Sequence, residues 1–185
     1  MFVKGSAVKV VPKFIEKKFG KKKFDEWLDI LPLKSKEIFN SFILVNRWYP
    51  FKEAYLIPTK KICKMFFKGD PKGAWNLGKF SSDYVLRGIY RIYANKVSSE
   101  KLADRSARIL STYFKPSKIK AIALTENKIE LKLIEFLEFN KYAENRLLGW
   151  VEGALEISGY KNIKLDAKKT LEKPGLVIKI IISWD

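Results

Sequence analysis

The stretch Lys118–Phe136, KIKAIALTENKIELKLIEF, decides how this chain is read. Its pattern repeats every second residue and is broken by Glu126-Asn127-Lys128. Side chains in a strand point alternately to opposite faces, so the pattern predicts a β-hairpin. Downstream, Asn140 opens a helix to about Ser158, with Leu147, Val151, Ala154 and Leu155 facing inward and Gly159 ending it. Then NIKLDAKKTLEKPGLVIKIIISW (Asn162–Trp184) reads as a second hairpin, turning at Lys173-Pro174-Gly175. Two hairpins joined by a helix predict a four-stranded antiparallel sheet, ββαββ, with that helix across one face.

Upstream of Pro116 the pattern is helical. Ser6 is placed to cap a helix through AVKVVPKFIEKKF, kinked or delayed by Pro12 and stopped at Gly20. KKKFDEWLDIL puts Phe24, Trp27, Leu28 and Leu31 on one side, and Ser35 is placed to cap a short helix through Phe39. Trp48-Tyr49-Pro50 reads as a turn between helices. Phe51–Ile57 reads as helical, interrupted at Pro58-Thr59 and resumed up to Gly69. A long helix then follows Asp70-Pro71 to about Lys96, and Ser99 caps another through Phe114. The expected fold is α+β: one domain over residues 1–185, with a helical part (1–115) packed on a sheet part (116–185). A small sheet with one covered face needs those helices.

Composition narrows the function classes. The chain of 185 residues has 47% hydrophobic side chains, enough for a core without disulfides or metals. One cysteine, Cys63, excludes an intrachain disulfide and points to a reducing, cytoplasmic setting. No run approaches the roughly 20 apolar residues of a membrane-spanning helix. The absence of histidine removes Ser-His-Asp and Cys-His catalysis and every histidine metal or haem ligand. No carboxylate pair or glycine loop specifies a reaction, so the chain reads as non-enzymatic, with no cofactor expected. Net charge is +17, and it is uneven: residues 1–115 carry 25 basic and 10 acidic side chains. Two readings stay open. One is a basic face for nucleic acid or an anionic surface, through Lys21, Lys22, Lys23, Lys60, Lys61, Lys64, Arg87 and Arg91. The other is a lysine-rich thermophile composition with solvated helix faces.

Candidate ligand residues are aromatic. Trp48 and Tyr49 fit a pocket wall as well as a packed turn. Cys63, Phe66 and Phe67 fit a pocket or a plain core, and Tyr84 lies on the long helix. Cys63 also has a lysine-flanked setting compatible with acylation or redox chemistry.

Short motifs add a resemblance: VKGSAV near the start, RWYP in mid-chain, Gly69-Asp70 before a helix carrying Gly78 and Gly88, GWVEGALEISGY, and a last strand ending in Trp184. Together they resemble a myxobacterial-type paralogous family of small bacterial proteins. That family is similar in turn to four-vinyl-reductase-type ligand domains, haem-nitric-oxide-binding domains and TRAPP subunits. The resemblance implies helices followed by a four-stranded antiparallel sheet. It also implies a sensory or scaffold domain that holds a small apolar molecule and signals to a partner, a homodimer being one form. The haem-binding relatives need a proximal histidine and a Tyr-x-Ser-x-Arg motif, both missing here, so the resemblance does not extend to haem ligation.

Overall fold

The computed structural model describes residues 1–86, 95–116, 118–134, 136, 140–172 and 175–185. Arg87, Arg91 and the second hairpin's turn at 173–174 lie outside the described residues, as does the expected continuation of the long helix through 87–94.

Strand β1 (Phe2–Lys4) opens the chain and lies between β2 (Trp48–Pro50) and β3 (Phe114–Lys115) in a small antiparallel sheet. The register pairs Val3 with Tyr49 and Lys4 with Trp48. This corrects the expected Trp-Tyr-Pro turn, which is an edge strand. Pro50, which has no N–H, is tolerated at such an edge. The partner that makes it a strand is far away in sequence and leaves no local signature.

Among the described residues, six α-helices fill the helical part. They are α1 (Gly5–Phe19), α2 (Lys21–Asp29), α3 (Leu33–Asn40), α4 (Ile57–Phe66), α5 (Lys72–Leu86) and α6 (Ser99–Ser111). Helix α1 begins at Gly5 and runs through Pro12, and Ser6 makes no side-chain cap. Gly20, at φ 88°, ends α1 as expected. Ser35 is not a cap either; it is buried inside α3, which starts after Pro32. Pro58 does not break the chain's helical course. A π-helical turn, Lys52–Leu56, precedes it, and the Ile57 N–H reaches back to the Lys52 carbonyl. Pro58 then sits in the first turn of α4, where a missing N–H costs nothing.

The sheet part follows the expectation. Strands β4 (Lys118–Thr125), β5 (Lys128–Ile134), β6 (Lys164–Glu172) and β7 (Gly175–Ser183) form one antiparallel sheet in the order β4-β5-β7-β6. Ile129, Leu131 and Leu133 of β5 and Ile178, Ile180 and Ile182 of β7 turn one fully apolar face inward. Helix α7 (Lys141–Ile157) joins the hairpins, and the Asn140 Oδ1 accepts from the Tyr142 and Ala143 N–H groups at 3.0 and 3.1 Å. On the inner face α6 lies on β4 and β5, while α7 packs chiefly on α5; Leu102 and Ile109 of α6 and Val151 and Leu155 of α7 line a recess with Ile182. The architecture is thus the expected α+β arrangement, with a second, smaller sheet added.

Candidate functional site

Helices α5 and α7 cross at backbone contact. A Cβ placed on Gly78 would lie 2.1 Å from the Arg146 carbonyl oxygen, and one on Gly149 would lie 2.2 Å from that of Trp75. Only glycine permits this approach. The crossing is latched at its surface by the Trp75 Nε1, which donates to the Glu152 carboxylate at 2.7 Å. Lys79 adds ion pairs to Glu152 and Glu156 at 3.1 and 2.7 Å. Burial works against the Lys79 charge, but the two carboxylates outweigh it and hold its pKa above the ordinary value.

One turn from that crossing, α7 turns Arg146 into the protein, leaving it 2% exposed. Its guanidinium donates to the Thr59 Oγ1 at 2.9 Å and to the Ala7 carbonyl at 2.7 Å. It also stacks 3.9 Å above the Tyr55 ring. Thr59 is held in turn by donating to the Tyr55 carbonyl at 2.6 Å. One side chain of the sheet part thereby joins α1, α4 and the π-helical turn. No described carboxylate pairs with it. Burial pulls the Arg146 pKa down, while Tyr55 and Cys63 pull it back up. Arginine nonetheless keeps its proton in proteins. Burial raises the Tyr55 pKa against a smaller opposing pull from Arg146, so the phenol is neutral and offers no counter-charge.

Arg146 faces a cavity of about 30 Å³ whose walls include Ala7, Tyr55, Val85, Leu110, Tyr113 and Trp150. Val85, Tyr113 and Trp150 also line an open cleft of about 430 Å³ between α5 and α6. Tyr113 and Trp150 stand with ring centroids 5.8 Å apart, forming part of the wall common to both. Lys101, Asp104, Arg105 and Arg108 edge the cleft, with Arg108 paired to Asp104 at 2.6 Å. A third recess of about 50 Å³ continues from Trp150 along α6 and α7 to Ile182. Three mostly apolar recesses thus share the Trp150 side chain as a wall, together a trough with charged residues at the rim of the cleft and a buried cation at the innermost recess.

The residues singled out from sequence are not brought together. Trp48 is held between the ammonium groups of Lys4 and Lys115, at 4.8 and 4.6 Å from the ring. Tyr49 is buried, and its hydroxyl accepts from the Leu44 N–H at 3.0 Å. Phe66 stacks on Phe19 at 4.1 Å, and Phe67 meets the same ring edge-on. Tyr84 is exposed and stacks on Phe80. Cys63 packs with Ala74 and Tyr142, its thiol pushed up to about 11 chiefly by burial. None of the six lines the cavity, the cleft or the recess. Of the lysines, Lys21 and Lys23 pair with Asp25 and Glu26 on α2, and Lys22, Lys60 and Lys64 are exposed. Lys61 is half-buried.

Sequence reasoning missed Arg146 and Trp150, although a signal was present. Arg146, Gly149, Trp150 and Gly153 make one stripe at helical spacing, beside the stripe of Leu147, Val151 and Leu155. A helix with two inward stripes is packed on two sides.

Among the described residues no group of three or more histidine, cysteine or acidic side chains could hold a metal ion. No helix among them is long and apolar enough to cross a membrane. No protein-family profile matches the chain, and no curated protein matches it in sequence. Solved structures match over nearly the whole length. A point variant of Tt H-NOX is 15% identical with a TM-score of 0.70, covering 98% of this chain and 95% of that one. The Fe(II) unliganded H-NOX mutant from K. algicida is also 15% identical, with a TM-score of 0.66 and coverage of 98% and 96%. A structure from work on haem distortion in the H-NOX family is 13% identical, with a TM-score of 0.66 and coverage of 98% and 95%. The chain has the H-NOX fold.

Proposed function

We propose that this chain is a non-enzymatic, ligand-binding sensory domain that holds a small apolar molecule in the trough between α5, α6 and α7. The observation that carries the reading is the trough itself, a set of neighbouring, mostly apolar recesses that share Trp150 as a wall, within a fold shared with H-NOX proteins. Such concave apolar sites between helices are where proteins place small ligands. The signal would pass to a partner, a second copy of the chain included. The kinship with myxobacterial-type small proteins belongs to the same proposal.

The H-NOX fold implies haem, and the side chains present do not fit it. The chain has no histidine. The Cys63 thiol is buried in its own cluster and neutral at ordinary pH, and the Tyr55 phenol is stacked under Arg146. The rings of Phe51, Tyr55, Phe114 and Phe136 pack together between the helices and the sheet. The inner cavity, about 30 Å³, has no room for a porphyrin. The ligand in this reading is smaller than haem and is not held by a metal bond.

Native and then denaturing mass spectrometry of the purified protein, with melting curves in 1-octanol, tests the reading. A mass excess lost on denaturation, or a melting temperature that rises with the alcohol, is the expected result. A bare mass together with an unmoved melting temperature counts against it.

A second reading, attachment of the helical part to an anionic surface, is favoured by a separate observation. Leu33, Phe42, Leu44 and Val45 are exposed within one stretch, and the Lys9 ammonium lies 5.1 Å over the Phe42 ring. Apolar side chains rimmed by lysine suit an anionic lipid interface. Co-sedimentation with vesicles of anionic but not neutral lipid, weakened by salt, is its test.

A further inference from the structure

The apolar-ligand reading leaves one feature unexplained: a buried cation without a buried anion. Arg146 is 2% exposed and has no carboxylate partner among the described residues, and an arginine keeps its charge in a protein. Its two hydrogen bonds go to a neutral hydroxyl and a neutral carbonyl. A guanidinium has five N–H donors, so those bonds leave others for a further acceptor. An unpaired buried ion is costly to desolvate, and a bound anion offsets that cost. The neighbouring cavity, about 30 Å³, is large enough for about two water-sized spheres, the footprint of two carboxylate oxygens. Beyond it the walls are apolar: Val85, Leu110, Tyr113 and Trp150. Farther out, among the described residues of the cleft rim, Lys101, Arg105 and Arg108 outnumber one acid, Asp104, which pairs with Arg108.

We propose that the ligand of this trough is a small amphipathic acid, its carboxylate seated against Arg146 and its apolar part running past Tyr113 and Trp150 toward the cleft. The inference rests on the reading that the trough binds an apolar ligand, and adds the class of its headgroup. A planar guanidinium pairs with a carboxylate through two parallel bonds, which a lysine at the same place would not reproduce. The rim charges then favour approach of an anion, and Arg146 holds it once inside.

The test uses two probes of equal length, sodium octanoate and 1-octanol, on the intact chain at matched ionic strength, read by calorimetric titration. Octanoate is expected to bind at least about 10-fold more tightly than octanol, the scale of a charge-assisted hydrogen bond. Arg146→Met is expected to weaken octanoate by about 10- to 100-fold and to leave octanol within about 2-fold. Equal binding of both probes, unchanged in Arg146→Met, overturns the carboxylate assignment while the apolar trough survives. Binding of neither probe overturns both. Should Arg146→Met fail to fold, the arginine Nε–H resonances of the unaltered protein decide. A buried arginine signal that moves with octanoate but not with octanol supports the proposal, and one that ignores octanoate refutes it.

Discussion

Replacing Gly149 by alanine sets two effects of opposite sign against each other. In a helix interior alanine is favoured over glycine by about 1 kcal/mol, so propensity alone makes the variant more stable. The crossing with α5 says otherwise. The new Cβ would lie 2.2 Å from the Trp75 carbonyl oxygen and 2.8 Å from its carbonyl carbon, where ordinary contact begins at 3.4 Å. Both obstacles are backbone, so no rotamer relieves them. The helices must move apart by roughly 1 Å, and a gap of that size forfeits about a quarter to a half of each dispersion contact across the seam. Ala74 and Leu77 on α5 and Leu148 on α7 are buried near it. Overpacking of this kind costs about 3 kcal/mol. Net of propensity, Gly149→Ala is expected to lose about 2 kcal/mol in urea unfolding, with an unchanged denaturant slope. Gly153→Ala is the internal control. Its Cβ meets the Ser82 hydroxyl at 2.3 Å, a side chain that can turn at the loss of its bond to the Lys79 carbonyl, and the Lys79 Cα at 3.2 Å, only a few tenths of an ångström inside ordinary contact. It should be much the milder of the two. A Gly149→Ala protein as stable as the parent, or one no worse than Gly153→Ala, would refute the argument that backbone contact holds the trough's wall.

Four further outcomes follow from the same structure. Asn140→Ala removes the acceptor for two backbone N–H groups of α7 and should cost about 1 kcal/mol in the same unfolding assay. Cys63 should resist iodoacetamide in the folded protein at pH 8, because its thiol titrates near 11 rather than at 9.0. The folded chain thus keeps that proton longer than the unfolded chain. Its contribution to stability is therefore full below pH 9 and is lost as pH climbs from 9 toward 11, a slope that Cys63→Ala should flatten. Haemin titrated into the protein should give no sharp, one-to-one Soret band of a ligated iron, and appearance of such a band would overturn the haem-free reading.

The parts of the fold legible in sequence were those whose signals are local. The hairpin at Lys118–Phe136 declares itself by its period, and the Asn140 cap by its side chain three residues before the N–H that it accepts from. The small sheet was hidden because Phe2–Lys4 becomes a strand only through Trp48–Pro50 and Phe114–Lys115, distant partners with no pattern of their own. The π-helical turn before Pro58 was hidden for a related reason. Proline reads as a breaker unless the preceding turn shifts its hydrogen bonding by one residue. For the site, aromatic residues beside a proline suggest a pocket wall, whereas the structure gives Trp48 and Tyr49 backbone pairing and cation contacts. Arg146 stands in the sequence beside Asn145 and Glu144, with nothing local to mark it as buried. Its burial is set by three elements, α1, the π-helical turn and α4, that no local pattern connects to α7.

The most direct test of the central claim is a photolabelling map with a diazirine analogue of 1-octanol, competed with the unlabelled alcohol. The account predicts saturable, competed labelling on the peptides that carry Tyr113 and Trp150, and none at Trp48 and Tyr49 or at Phe66 and Phe67. Saturable labelling at those other aromatic residues, with the Tyr113 and Trp150 peptides untouched, would contradict it.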